Sequence, residues 1–279
     1  MGHTRSIFIG LALVLGQTAG AAAADLGLPP PPPIVEAPCV GCAGPWYIRG
    51  FVGGANPHVD DISSELFKFN DFQVFHNDIK SSPFVGGGVG YEFNKWLRFD
   101  VTGEYRGDAT FFAQDRFPGG NGTFSRASND IDGTFFPGTN EYTADIQSWV
   151  GLVNGYIGTY HCLTPFVGGG VGFASITVSG LKDVNVPNNS VFFGQSNTET
   201  NFAWAVYGGL SYDVTPGLSI DLTYRYTDLG DASSGRVTAF DNSSSYKSLD
   251  IDHITSNDIM LGVRWKLGSQ PAPMPVAFK

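Results

Sequence analysis

The sequence has no long apolar run beyond its first 24 residues. A transmembrane helix needs roughly 18 or more consecutive, mostly apolar residues, so this absence excludes a helical membrane protein. A chain without such helices can cross a bilayer only as a closed β-barrel, because only a barrel then pairs every backbone polar group.

Charged residues are also scarce. They make up 15% of the chain, whereas glycine occurs 37 times and aromatic residues account for 14%. This composition is unlike that of helical proteins and predicts an all-β fold. The net charge is −10, with 16 Lys and Arg against 26 Asp and Glu. Nucleic acid is therefore not an expected partner, since phosphate neutralisation needs clustered basic residues.

Cysteine occurs only three times, at Cys39, Cys42 and Cys162. Three cysteines are too few for a disulfide framework, and their oxidation state stays open. The CVGC pair at Cys39 and Cys42 favours a local bridge or unreactive thiols over zinc, which prefers four ligands. No metal site is predicted.

The two ends of the chain differ from its centre. Residues 1–24 combine an early positive charge, an apolar stretch and a final run of small residues, which is typical of a cleaved signal peptide. We expect residues 25–44 to be a Pro-rich periplasmic segment, residues 45–268 a barrel, and residues 269–279 a Pro-rich periplasmic tail.

The centre consists of eight segments in which apolar and polar residues alternate. The clearest is Trp96–Arg106, where Leu97, Phe99 and Val101 share one face and Arg98, Asp100 and Glu104 share the other. In Ile146–Thr159, alternation places Asn154 on the face that we assign to lipid. We therefore expect a bulge there, which would restore the alternation of inward and outward side chains. The other segments are Trp46–Gly54, Pro83–Phe93, Pro165–Ser175, Phe202–Asp213, Leu218–Thr227 and Ile254–Leu267.

The connections between these segments are alternately short and long. This asymmetry is typical of outer-membrane barrels, which have tight periplasmic turns and long external loops. A soluble lipocalin-type barrel also alternates, but aromatic residues gather at the inferred periplasmic ends, as a membrane interface requires. The sequence predicts an eight-stranded antiparallel up-and-down transmembrane β-barrel with short periplasmic turns and four long extracellular loops.

A glycine-rich sequence occurs twice, as PFVGGGVGY at Pro83–Tyr91 and PFVGGGVGF at Pro165–Phe173. Its alternate glycines are expected to point into a lumen that has little room for side chains. A dinucleotide-binding loop is excluded because the third glycine of that motif is missing and no helix follows. The expected inward glycines are Gly86, Gly88, Gly90, Gly168, Gly170 and Gly172.

Placing the polar face inside brings six basic and seven acidic side chains into the lumen. Such a near balance favours a cross-linked plug of salt bridges over an ion-selective pore. The predicted lumen charge network is Arg49, Glu92, Arg98, Asp100, Glu104, Arg106, Asp145, Asp213, Asp221, Arg225, Asp258, Arg264 and Lys266.

The predicted loops are rich in aromatic and acidic residues. Phenylalanines such as Phe75, Phe111, Phe112, Phe192 and Phe193 indicate either an adhesive surface or loops that pack on themselves. The loop carboxylates match no calcium-binding spacing and are expected to form a solvated acidic surface. They are Asp60, Asp61, Asp108, Asp115, Asp130 and Asp132.

Several segments resemble the small eight-stranded outer-membrane barrel superfamily of opacity adhesins and alphaproteobacterial immunogenic and haemin-binding proteins. They are the AADL start, WYIRG at Trp46–Gly50, FDVTGEYR at Phe99–Arg106, DLTYRYTDLG at Asp221–Gly230 and LGVRWKL at Leu261–Leu267. The resemblance implies an outer-membrane location and recognition of the last strand by the barrel-assembly machinery. It leaves adhesion, a small porin and haemin binding as alternatives.

From these observations we expect a non-enzymatic envelope anchor whose loops meet lipopolysaccharide or host surface molecules. The segments show no GxSxG element and no strand-borne Ser/His pair for catalysis. No cofactor is expected; if haemin binds, the candidate ligands are His58 and His76 in the first long loop.

Overall fold

The computed structural model describes residues 44–64, 73–94, 96–117, 120–126, 129–135, 137–158, 163–187 and 189–268, with backbone alone for 120–126 and 129–135. The predicted signal peptide, most of the Pro-rich segment, the tail and all three cysteines lie outside these ranges. The strands are β1 (Trp46–Ser64), β2 (Gln73–Ile79), β3 (Ser82–Glu92), β4 (Leu97–Phe117), β5 (Gly120–Arg126), β6 (Asn129–Phe135), β7 (Gly138–Gly158), β8 (Leu163–Asn185), β9 (Ser190–Gly194), β10 (Asn197–Thr215), β11 (Leu218–Ser233), β12 (Val237–Ala239), β13 (Ser245–Tyr246) and β14 (Leu249–Lys266).

Eight of these strands form a closed ring. The order around it is β1, β3, β4, β7, β8, β10, β11 and β14, and every neighbouring pair is antiparallel. The ring closes where β14 pairs with β1 from Lys266 opposite Tyr47 to Leu249 opposite Ser64. The predicted eight-stranded antiparallel barrel is confirmed.

Seven of the eight ring strands are longer than a bilayer requires, whereas β3 has 11 residues. A spanning strand needs about 9–11 residues, whereas β8 has 23 and β4 has 21. The excess lies in the four long connections, which also contain β2, β5, β6, β9, β12 and β13. Much of each predicted external loop is therefore strand, and the barrel continues beyond the membrane as an extracellular extension.

In the membrane-spanning part, apolar side chains face outward. Val52, Val101, Val171, Leu222 and Leu261 are each more than half exposed, as lipid-facing side chains are. Aromatic girdles border this belt, at Trp46, Tyr91, Trp96, Tyr212 and Trp265 on the periplasmic side and at Tyr105, Trp149, Phe202, Trp204 and Tyr226 on the other. On β10 the span from Phe202 to Tyr212 is eleven residues, which matches the thickness of a bilayer.

The polarity reverses in the extracellular extension. Its outward side chains on β8 and β10 are polar, including Ser175, Thr177 and Thr198, and Thr177 and Thr198 hydrogen-bond each other at 2.9 Å. Its inward side chains form a hydrophobic core like that of a soluble protein. Members of this core include Val59, Ile62, Ile79, Phe111, Ile146, Ile176, Val178, Leu181, Leu229, Ile251 and Ile254.

The predicted inward and outward faces of β7 are reversed in the structure. Along β7, Ile146, Asn154 and the even-numbered residues between them are buried in the lumen, whereas Trp149 and Val153 face lipid. The expected bulge at Asn154 does not occur, because β4 and β7 pair without interruption from Leu97 opposite Ile157 to Arg106 opposite Ser148. Both faces of β7 are apolar, so alternation alone did not identify the inner one.

Inward glycines allow large side chains to cross the lumen. A Cβ atom on Gly90 would lie 2.1 Å from Cζ of Tyr47, and one on Gly170 would lie 2.0 Å from Oδ1 of Asn154. Both distances are far shorter than van der Waals contact. The expected inward direction of these glycines is confirmed by the neighbours that they face.

We expect Gly90→Ala to lower the free energy of unfolding by about 1–3 kcal/mol, since the ring of Tyr47 must move out of well-packed surroundings. The matched control is Gly103→Ala, because a Cβ there meets no atom within 4 Å. Reversible urea unfolding in lipid vesicles measures both variants. Equal stabilities would contradict a tightly filled lumen.

Candidate functional site

Four charged side chains form a neutral cluster in the lumen, which we call the upper cluster: Glu104, Arg106, Arg225 and Asp258. Arg225 donates two hydrogen bonds to Glu104, at 2.7 and 2.8 Å, and two to Oδ2 of Asp258, at 2.9 and 2.7 Å. Arg106 reaches the same carboxylates at 2.9 and 2.7 Å. Each guanidinium thus bridges two carboxylates from different strands.

An aromatic ring supports this upper cluster. The guanidinium carbons of Arg106 and Arg225 lie 5.5 and 5.1 Å from the centre of the Phe84 ring. Phe84 is 3% exposed, so the two cations lie between carboxylates and a dry aromatic face. Together with Phe84 of β3, the upper cluster connects β3, β4, β11 and β14 across the lumen.

A second group, the lower cluster, lies nearer the periplasmic end and consists of Tyr47, Arg49, Asp100, Asn154 and Tyr156. Arg49 donates to Asp100 and to the hydroxyl of Tyr156, both at 2.9 Å. Asp100 also accepts from Tyr47 at 3.1 Å and from Asn154 at 2.8 Å. Sequence reasoning missed Asn154 because of the inverted phase of β7.

Two further buried arginines are less completely paired. Arg98 is stacked over the rings of Tyr156 and Phe166, with its guanidinium carbon 4.7 and 4.6 Å from their centres. Its Nε and Nη2 have no hydrogen-bond partner among the described residues. Arg264 donates to Ser211 at 3.0 Å and lies 3.7 Å from Asp221.

The remaining predicted lumen charges lie elsewhere. Lys266 and Glu92 form a pair at 2.7 Å and are partly exposed. Asp213 accepts from Ser219 at 2.6 Å but is exposed to solvent. The placement of Asp145 in the lumen is wrong: it is exposed on the outer side of β7, between the buried Ala144 and Ile146, because the phase of that strand is inverted.

The lumen is filled at the level of the upper cluster and above it. In an open channel the lining side chains would be wet, yet Glu104, Arg225 and Asp258 are at most 3% exposed. A cavity of about 30 Å³ lies between Arg106 and the apolar core of the extension. Its volume is about that of a single water molecule.

A buried acidic pair occupies the extension. Asp115 is fully buried and accepts from Tyr142 at 2.6 Å and from the Asn140 amide at 3.0 Å. Asp183 is 4% exposed and accepts from Tyr246 at 2.9 Å, while its Oδ1 has no donor among the described residues. The expectation that Asp115 belongs to a solvated surface is wrong, because it shares the inward face of β4 with Phe111 and Ala113.

Burial raises the pKa values of both carboxyl groups. The pKa of Asp183 rises to about 7, mainly through loss of water; the hydrogen bond from Tyr246 opposes this rise and the charge of Asp115 adds to it. Burial also raises the pKa of Asp115, against its hydrogen bonds from Tyr142 and Asn140. Sequence reasoning missed Asp183, although Leu181 two residues earlier marks the inward face of β8.

The candidate haemin ligands lie on two different strands of the extension. His58 on β1 lies opposite Thr255 of β14, and His76 on β2 packs against Phe112 with ring centres 5.7 Å apart. Both imidazoles are exposed. In the described ranges no group of three or more His, Cys, Asp or Glu side chains is placed to hold a metal ion.

The strands β9, β12 and β13, which we call the flap, cover the side of the extension. β9 pairs with β8, and β12 pairs with both β9 and β13. The inner side of the flap carries Val237 and Tyr246, which are buried, and Phe192, which is half-buried. On the outer side, Phe193 is 50% exposed, and Phe240, which follows β12, is 79% exposed.

Comparison with known proteins agrees with this architecture. The family model described as outer membrane protein beta-barrel domain matches residues 9–266. The chain belongs to this family.

Related sequences come from several bacteria. Outer membrane protein PagN of Salmonella typhimurium is 29% identical over 233 residues, covering 78% of this chain and 88% of PagN. A protein of Rickettsia conorii named "Putative adhesin RC1281" is 25% identical over 227 residues, covering 80% of this chain and 82% of its own. An uncharacterized protein of Brucella suis is 27% identical over 194 residues, and the chain spans 66% of its length.

Solved outer-membrane barrels are similar over most of the chain. OprG from Pseudomonas aeruginosa has a TM-score of 0.44 and 15% identity, covering 80% of this chain and 96% of OprG. The attachment invasion locus protein Ail of Yersinia pestis has a TM-score of 0.32 and 16% identity, covering 78% of this chain and 97% of Ail.

Membership of the outer membrane protein beta-barrel family, together with the apolar belt, places this protein in the outer membrane. The short turns of the barrel and the ends of β1 and β14 face the periplasm, as in other barrels of this class. The extension and the flap then lie outside the cell.

We expect Glu104→Gln to lower the free energy of unfolding by about 3–5 kcal/mol, because it leaves Arg106 and Arg225 with too little negative charge in a buried site. The matched control is Glu92→Gln at the partly exposed rim pair, where we expect a change of about 1 kcal/mol or less. Urea titrations of the refolded variants compare the two. A larger loss in the rim variant would contradict the buried network.

Proposed function

We propose that this protein is a non-enzymatic, non-conducting outer-membrane anchor that displays its extracellular extension as an adhesive surface. The observation that carries the proposal is the apolar core of the extension, above a filled lumen, with exposed phenylalanines on the flap. A rigid barrel that presents an outer surface is a common arrangement for binding proteins.

The filled lumen supports an anchor rather than a small porin. The upper cluster is neutral and dry, and a solute that passed it would next meet Ile79, Ile146 and Ile254. Conduction requires a site that ions enter and leave easily. Such a path would require both the salt bridges and the apolar core to open.

The flap supports adhesion. Phe193 and Phe240 lie close together, since Phe193 of β9 pairs with Thr238 of β12 and the amide of Phe240, just after β12, donates to Val191 at 2.9 Å. Exposed aromatic groups of this kind are frequent at interaction sites. One relative carries the word adhesin in its name. The occupant we propose is a protein on a host cell surface with an apolar patch.

Contact with lipopolysaccharide would use a different surface. Above the outer girdle, β8 and β10 present Ser175, Thr177, Thr198 and Thr200, which are suited to hydrogen bonds with sugar hydroxyls. These side chains carry no positive charge for lipid phosphates. We therefore propose contact with sugars at this band.

We expect no steady single-channel conductance from the refolded protein in a planar bilayer, because the lining side chains are dry. Protection of the barrel from added protease confirms insertion in the same preparation. Steady conductance by inserted protein would contradict the anchor and favour the porin.

We expect cells that display the Phe193→Ser, Phe240→Ser double variant to adhere to an epithelial cell layer several-fold less than cells with the wild type, because the exposed apolar contact is lost. The control is Thr177→Ala with Thr198→Ala, which changes an exposed polar pair of the same extension. Adhesion is counted at equal surface expression. Unchanged adhesion in the phenylalanine variant would contradict the proposed surface.

A further inference from the structure

A buried tyrosine connects β13 of the flap to the extension, in addition to the pairing of β9 with β8. Tyr246 on β13 is 9% exposed, and its hydroxyl donates to Oδ2 of Asp183 at 2.9 Å. Its ring packs against Phe192 of β9 with centres 6.0 Å apart. β12 and β13 have three and two residues and pair with β9 and with each other, so their buried contacts with the extension at Val237 and Tyr246 help to hold them.

The carboxyl group that receives this hydrogen bond is in an unfavourable place for a negative charge. Asp183 is 4% exposed, its Oδ1 has no donor among the described residues, and the second buried carboxyl group, Asp115, raises its pKa further. A buried carboxylate is stable only when cations or several donors compensate for lost water.

Among the side chains that the structure describes, no cation on the surrounding elements compensates for these carboxyl groups. β4 contributes Asp115, β7 contributes Tyr142 and Asn140, β13 contributes Tyr246, and β9 contributes the apolar Phe192. The nearby basic residues face solvent: Arg116 and Lys182 are exposed, and Arg236 of the loop before β12 donates to Ser245 at 3.4 Å. No described basic side chain forms an ion pair with Asp115 or Asp183.

We propose that Asp183 is a proton-operated latch: in its protonated form it holds Tyr246 and keeps β12 and β13 closed on the extension, and loss of the proton releases these two strands while β9 stays paired with β8. The released state gives the carboxylate the water that the closed state denies it. Deprotonation strengthens the single hydrogen bond from Tyr246, but it leaves Oδ1 charged and without a donor.

The direction of the pH dependence follows from the raised pKa. The closed state holds the pKa of Asp183 at about 7, whereas an exposed Asp has a pKa of about 3.9. The closed state is therefore most stable, relative to the open state, below the pKa of an exposed Asp. This advantage is lost as the pH rises through about 7, the pKa in the closed state. Acidic surroundings close the flap, and neutral to alkaline surroundings loosen it.

Opening would change which surface the cell presents. The closed flap covers Phe192, Val237 and Tyr246 and leaves only Phe193 and Phe240 outside. The open flap would expose both sets. The latch does not depend on adhesion, since it concerns the flap and the barrel alone.

Hydrogen exchange of the full chain in lipid nanodiscs tests the latch. Protection of amides in residues 237–246 is measured at about pH 5 and about pH 8, corrected for the intrinsic exchange rate. Amides of Ile259–Val263, within the membrane part of β14, serve as an internal reference for folding. We expect protection of the flap to fall about 10- to 100-fold between these pH values while the reference is constant.

Two variants and one control assign the effect. Asp183→Asn keeps an acceptor for Tyr246 but cannot titrate, so we expect high protection at both pH values. Tyr246→Phe removes the donor, so we expect low protection even at acidic pH. The control Asp145→Asn, at the exposed carboxyl group on β7, should behave like the wild type.

The wild-type measurement is decisive without any variant. Protection of the flap that does not change with pH would overturn the latch, as would pH dependence that persists in Asp183→Asn. In either case the adhesion experiment could still succeed, so failure of the latch and failure of the proposed function are distinguishable.

Discussion

The absence of water in a bilayer constrains this structure more than any other single condition. Every backbone N–H and C=O in the lipid must find a partner in the chain, because each unpaired group costs several kcal/mol. The pairing of β14 with β1 meets this condition by removing both edges of the sheet. Eight strands, however, enclose a lumen only wide enough for side chains, so closing the ring determines what can fill it.

Filling that lumen requires large and small side chains to face each other. The glycines of β3 and β8 leave space into which Tyr47, Phe51 and Tyr156 extend from other strands. Most buried charges come in neutral groups, as in the upper cluster, because an unpaired charge would be costly in such a dry site. Arg98 instead lies over the rings of Tyr156 and Phe166. Replacement of a buried ion pair by apolar residues is often neutral or stabilising, so these networks are better understood as fixing the register of strands far apart in sequence.

Much of the barrel could be predicted from the sequence, because lipid on one side and polar groups on the other impose a simple alternation. Trp96–Arg106 and Leu218–Thr227 show this pattern, and their polar residues line the lumen. Prediction failed where both faces of a strand are apolar, as in β7, which led to the wrong side for Asp145. It also failed in the extension, where the inner and outer faces exchange polarity, so that Asp115 was taken for a surface residue and Asp183 was not noticed.

Single strands form both the membrane anchor and the displayed surface, and the polarity of their inward and outward faces is exchanged between the two parts. β8 passes from a lipid-facing stretch, through the apolar core of the extension at Ile176 and Leu181, to the buried Asp183 beside the flap. The eleven residues from Ser175 to Asn185 extend about 25–30 Å beyond the outer girdle at the usual strand tilt. Because β8 and the other long ring strands continue without a flexible linker, a surface at this height is held by the same hydrogen-bonded sheet that spans the membrane. In the proposed latch the parts that move are β12 and β13, which pair with β9 and with each other.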